Sequence, residues 1–166
     1  MNDALLTKWL WNLENLNGLW QSIIAEKYNK GKPFISVKQR QNDSQFWKKL
    51  LSFREVFFKY CKVVVGNGCK TSFWKNSWIG DGPLAVKFPV LFDLALDKNV
   101  AVNKVLSSDF DALSFRRRMM GSIQVLYDEL VALCANYTLT NQEDRVNWCM
   151  GNKCFTVNSL YKKKID

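Results

Sequence analysis

The stretch Lys62-Val63-Val64-Val65-Gly66-Asn67-Gly68-Cys69-Lys70-Thr71-Ser72-Phe73-Trp74 is where the hydrophobic period changes. N-terminal to it the apolar residues recur at helical spacing, in helices separated by breaks. Here a β-branched run meets Gly66-Asn67-Gly68, which is turn chemistry, and a second β-prone run follows. Two such runs around a glycine-rich turn predict a β-hairpin. Glycine in this turn is too short a signal for a pyrophosphate cradle, and the chain has neither a G-x-x-x-x-G-K-[ST] loop nor G-x-G-x-x-G.

Upstream, Asp3 caps a helix with Leu5, Leu6, Trp9, Leu10 and Leu13 at helical spacing, and a second helix spans about 19–28. Asn29 to Pro33 is a break. Asn42-Asp43-Ser44 then caps a third helix whose apolar face is Phe46, Trp47, Leu50, Leu51, Phe57 and Phe58. Downstream, Gly80-Asp81-Gly82-Pro83 and Phe88-Pro89 predict an irregular stretch without helix. Val100 to Leu106 fits a short helix or strand, and Phe115 to about Ala135 fits a helix opened by Arg116-Arg117-Arg118. Cations there oppose the helix dipole, so they need partners: Asp109 and Asp111, or a phosphate. Arg145 to Trp148 and Cys154 to Val157 flank Gly151-Asn152 as a second hairpin, before a short helix capped by Asn158-Ser159.

The expected fold is therefore α+β, mostly helical with two small β-hairpins and no parallel sheet. Its parts are a Trp-rich helical segment (1–60), a hairpin and irregular basic segment (61–92), and a helical segment with a C-terminal hairpin (93–166). Together they are expected to form one compact unit, cut short at its C-terminus.

The chain has 166 residues and a formal charge of +9. Residues 27–87 hold 13 basic side chains against three acidic ones, which makes this segment +10 and the remainder −1. Tryptophans 47, 74 and 78 and six phenylalanines share the segment. Cations can meet phosphates and flat rings can stack on bases, so this is the composition of a polynucleotide surface. The same residues also suit an aromatic core kept soluble by lysines. Candidate contacts are Lys48, Lys49, Arg54, Lys62, Lys70 and Lys75, with Trp74 and Trp78 as stacking platforms or packing anchors, and Arg116, Arg117 and Arg118 further on.

The chain contains no histidine, which excludes Ser-His-Asp and Cys-His catalysis and every His-containing zinc site. Five cysteines are an odd number, and Cys149 and Cys154 have no second pair at metal-ligand spacing. Reduced thiols are expected, with no metal, no cofactor and no catalytic residues. Apolar runs too short for a membrane span and a start without a basic, then apolar, leader predict an intracellular chain, nuclear or cytoplasmic, with no membrane partner.

Taken in order, several of these blocks resemble plant LINE-type (non-LTR) retrotransposon polyproteins. They are Ala4-Leu5-Leu6-Thr7-Lys8-Trp9-Leu10-Trp11, Leu19-Trp20, Ser44-Gln45-Phe46-Trp47-Lys48-Lys49-Leu50-Leu51, Val65-Gly66-Asn67-Gly68 and Trp78-Ile79-Gly80-Asp81-Gly82-Pro83-Leu84. Phe88-Pro89, Phe115-Arg116-Arg117-Arg118, Glu143-Asp144-Arg145-Val146-Asn147-Trp148 and Phe155-Thr156-Val157-Asn158-Ser159-Leu160-Tyr161 continue the series. The resemblance covers essentially the whole chain. It implies a position between the reverse-transcriptase polymerase domain and the Cys/His reverse-transcriptase zinc-binding domain. The polymerase's paired aspartates have no counterpart here, since Tyr127-Asp128-Glu129 falls out of place. What it implies is a non-catalytic fragment that supports RNA or DNA weakly and through the backbone. The alternatives are a module whose Trp9, Trp11 and Trp20 dock on the parent's polymerase domain, or a degenerate product without function.

Overall fold

The computed structural model describes residues 3–16, 18–30 and 32–149. Helix α1 (Asp3–Asn15) forms where Leu6, Leu10 and Leu13 recur on one face, and all three are buried. After Gly18 comes α2 (Leu19–Ile24), which widens into a π-helical turn at Ala25–Asn29 and ends on Lys30 in the left-handed region. Helix α3 (Gln45–Lys59) starts as its sequence dictates: the Ser44 hydroxyl accepts from the Trp47 amide at 3.2 Å. Its buried face carries Trp47, Leu50, Leu51, Phe57 and Phe58 and packs on α1.

Strand β1 (Cys61–Val64) pairs antiparallel with β2 (Arg145–Trp148), Cys61 facing Trp148 and Val63 facing Val146. Burial alternates along both strands, so Cys61, Val63, Val146 and Trp148 enter the core while Lys62, Val64, Arg145 and Asn147 face out. The two-stranded sheet is closed off by irregular backbone. Ser77 O accepts from the Val63 amide at 2.7 Å, and the Asn15 carboxamide at the end of α1 accepts from the Val146 amide at 2.9 Å.

The hairpin expected at 62–74 is not there. Residues 70–74 do not turn back on β1; Ser72 bridges to Ala101, and the Phe73 amide donates to Val100 O. The Gly66-Asn67-Gly68 segment instead wraps around Asp144, described below. Of the second expected hairpin, the first arm is β2 and the second lies outside the described residues. The short C-terminal helix lies outside them as well.

Helices α4 (Leu84–Lys87) and α5 (Pro89–Leu94) occupy a stretch expected to be irregular. Proline caused that misreading. Pro83 sits at the N-cap and Pro89 at a first helical position, where the missing amide costs nothing. Next comes α6 (Val102–Ser107), and then α7 (Ser122–Cys134) begins seven residues later than its apolar pattern suggests. Phe115 is extended, bridging to Ala95 with the Arg116 amide on Leu94 O, and Gly121 at φ +57° sets the start of the helix.

The fold is thus α+β and mostly helical, with one small antiparallel sheet and no parallel one among the described residues. One buried cluster runs from Leu6 to Trp148, and all three sequence segments contribute to it. No helix among the described residues is long and apolar enough to cross a membrane.

Candidate nucleic-acid interface

The C-terminal half of α3, the outer side of β1, the segment 75–83 and helices α4 and α5 enclose a groove of about 860 Å³. Its lining brings together Arg54 and Lys59 from α3, Lys62 from β1 and Lys75 from the following loop. Glu55 and Asp81 are the acidic residues on the same wall. Phe58, Pro83, Val86 and Phe92 supply apolar surface.

These cations are held but not neutralised. Lys62 Nζ donates to Gly80 O at 3.0 Å, and Lys75 Nζ donates to Asn99 Oδ1 at 2.7 Å. The Arg54 guanidinium donates to Val37 O, and its Nε is buried without an acceptor among the described residues. Ion pairs among the described residues are Lys70–Glu143 and Lys98–Asp93, neither in this groove. Burial pulls the Lys75 ammonium below its ordinary range, and nearby Arg54 pulls it further down. Burial also lowers the Arg54 guanidinium, against the opposing pull of Glu55.

Three of the candidate residues, Arg54, Lys62 and Lys75, therefore converge. Lys59, one turn beyond Glu55 on α3, joins them. The other candidates do not converge here. Lys48 Nζ is on Gln41 O at 2.8 Å, and Lys49 is an exposed residue of the first turns of α3. Lys70 pairs with Glu143 at 2.8 Å. Arg116, Arg117 and Arg118 are exposed on the loop before α7 rather than in its first turn, so the dipole conflict expected for them does not arise. They form no ion pair with Asp109 or Asp111 among the described residues.

The stacking role for Trp74 and Trp78 is overturned by burial. Trp74 is 0% exposed and Trp78 3%. Trp74 packs edge-on to Phe73 and against Phe92, while Trp78 packs edge-on to Tyr137 and donates its indole N–H to Phe73 O at 3.0 Å. No ring face is left for a base. The core needed large rings to anchor a loop-rich segment, and it took these.

A second polar centre went unnoticed in the sequence. Asp144 is buried, and its carboxylate accepts four hydrogen bonds from one loop. Oδ1 takes the Gly66 and Gly68 amides, both at 2.8 Å, and Oδ2 takes the Lys70 amide at 3.0 Å and the Thr71 hydroxyl at 2.8 Å. Successive amides aimed at one anion make a nest. Gly66 is required there because a Cβ would sit 2.2 Å from Gln142 O. Gly68 is required by its φ of +72°. Beside this nest lies a cavity of about 440 Å³ lined by Glu14, Lys70 and Glu143 among others. Burial, opposed by Lys70 and reinforced by Asp144, raises the Glu14 carboxyl to about 7.

Cys61, Cys69, Cys134 and Cys149 are free thiols. No group of three or more Cys, Asp or Glu side chains among the described residues has metal-binding geometry. No protein-family model, curated protein or solved structure matches the chain.

Proposed function

We propose that this chain is a non-catalytic, sequence-independent RNA- or DNA-binding unit of a retrotransposon reverse-transcriptase-like protein. The observation that carries the binding is the groove, in which Arg54, Lys59, Lys62 and Lys75 line one concave surface without an ion-paired carboxylate among the described residues. Bringing four cations together costs self-repulsion, and a polyanion relieves it while releasing its counterions. The parentage rests on the ordered sequence blocks. It is tested by the flanking genomic sequence, where a Tyr-x-Asp-Asp block upstream and a Cys/His block downstream are expected.

Binding is tested by anisotropy of labelled mixed-sequence RNA and DNA over a salt series. Association is expected at low salt, with log affinity falling by roughly 0.7 per contacted phosphate for each unit of log salt on single strands. Absence of binding at low salt would sink the proposal.

A second reading is favoured by one specific feature. On α1, α2 and their connection, Leu5, Leu16, Leu19 and Ile23 are 46%, 51%, 82% and 52% exposed. Such residues suit docking on a polymerase domain. The tryptophans assigned that task, Trp9, Trp11 and Trp20, are half-buried, with Trp9 packed against Trp20 and Phe46 at 4.8 and 5.7 Å. Co-purification with the parent polymerase domain, abolished by Leu19→Asp with Ile23→Asp, is the outcome this reading requires.

A further inference from the structure

Resting on the binding proposed above, we infer that the groove is a single-strand site. It holds one nucleotide unit with its phosphate at Arg54, Lys62 and Lys75 and its base against Pro83, Val86 and Phe92. Three observations point this way. First, two of the three cations are recessed: Arg54 and Lys75 are only partly exposed, and they lie in a concavity, not on a ridge. A duplex is a stiff convex cylinder whose phosphates cannot follow the chain into such a hollow, whereas a single strand bends into it. Second, the volume of about 860 Å³ falls within the range of about 300–1,000 Å³ typical of small-molecule clefts, so a nucleotide unit has room. Third, the groove lining is chemically divided, with cations from α3, β1 and the Lys75 loop alongside Glu55 and Asp81, and apolar side chains from Pro83, α4 and α5. That division matches a phosphate on one side and a flat, weakly polar ring on the other.

Hydrogen-bonding capacity supports the assignment. Lys62 and Lys75 each spend one of three ammonium protons on a neutral oxygen. A phosphate supplies the missing acceptors. Burial beside Arg54 holds the Lys75 ammonium below its usual range, and an anion at this point restores it.

Anisotropy on the full chain tests this with a labelled oligo-uridylate or oligo-thymidylate, the same length as duplex, a free nucleoside monophosphate and inorganic pyrophosphate. The strand is expected to bind about tenfold tighter than duplex, and monophosphate and pyrophosphate are expected to compete only at far higher concentration. Lys59→Ala with Lys62→Ala, both exposed positions, should weaken strand binding by about tenfold. The charge-matched control Lys30→Ala with Lys104→Ala, also exposed and off the groove, should change it less than about twofold. A second readout needs no mutation. Cys149 lines the groove and Cys69 does not, and both are exposed thiols. Bound strand should slow alkylation of Cys149 and leave Cys69 unchanged.

Duplex binding as tight as single strand, equal losses in the two double variants, or no protection of Cys149 would overturn the single-strand site while leaving the broader binding function standing. Competition by pyrophosphate at the strand's own concentration would make it a small-anion site and overturn it too. If no polynucleotide binds at any salt, both proposals fall together.

Discussion

The two polar centres of this molecule handle charge in opposite ways. In the nest, one anion is answered completely by the chain. The Asp144 carboxylate takes three amides and a hydroxyl from residues 66–71, all within 3.0 Å. In the groove, the cations' hydrogen bonds go to neutral oxygens, those of Gly80, Asn99 and Val37, and no carboxylate is ion-paired to them among the described residues. A buried charge with its hydrogen bonds filled is architecture, because removing either partner exposes the full desolvation cost of the other. A cluster of like charges left with spare donors is available to a ligand. The nest should therefore govern stability, and the groove should govern binding.

The most severe way to test that division is Asp144→Ala. It strands three amides and a hydroxyl in the core and should cost about 3–5 kcal/mol in denaturant unfolding. A loss below about 1 kcal/mol would show the nest to be incidental.

Next in size is the pH dependence set by Glu14. Its carboxyl is raised from an ordinary 4.5 to about 7. The folded state thus binds more protons than the unfolded state between those values, so stability must fall as pH rises through that window. The stability contribution should be at most about 3 kcal/mol, present in full below about pH 4.5 and lost above about pH 7. Glu14→Gln should flatten the fall, and an unchanged slope in the variant would place the titration elsewhere.

Gly66→Ala follows, since its Cβ would meet the Gln142 carbonyl at 2.2 Å. It should destabilise by about 2 kcal/mol, whereas Gly82→Ala, with nothing within 4 Å, should stay within about 0.5 kcal/mol. Smallest in stability is Lys75→Gln. Neutralising a partly buried lysine leaves stability unchanged or slightly raised, while polynucleotide affinity falls several-fold. A stability loss comparable to that of Gly66→Ala would make Lys75 a structural residue and blur the contrast.

The helical part of this fold was legible because it is local. Ser44 announces α3, and Leu6, Leu10 and Leu13 announce the face of α1. The sheet was not legible, because Val63 finds its partner in Val146, from the far end of the described chain. Glycine-rich turn chemistry next to a β-branched run made a local hairpin the natural reading. Gly66 and Gly68 were needed for another reason, the close approach of Gln142 and Asn103 and the shape of an anion nest. Asp144 carries no sequence signal beyond its neighbours, since its role exists only once the loop closes around it.

The site was half legible. Charge clustering pointed to Arg54, Lys62 and Lys75, but nothing in the sequence says that a helix, a strand and a loop place them on one wall. Lys59 was hidden by the same amphipathic pattern that correctly defined α3. Trp74 and Trp78 show the converse: composition cannot separate a ring that stacks on bases from one that fills a core.

The claim that the groove carries polynucleotide binding is tested most directly by the salt dependence of single-strand affinity in two proteins, the native chain and Lys59→Ala with Lys62→Ala. Phosphates of the strand that meet the groove cations set the slope of log affinity against log salt, at roughly 0.7 per contacted phosphate, and removing two cations should make it shallower. The same slope in both proteins would contradict the account.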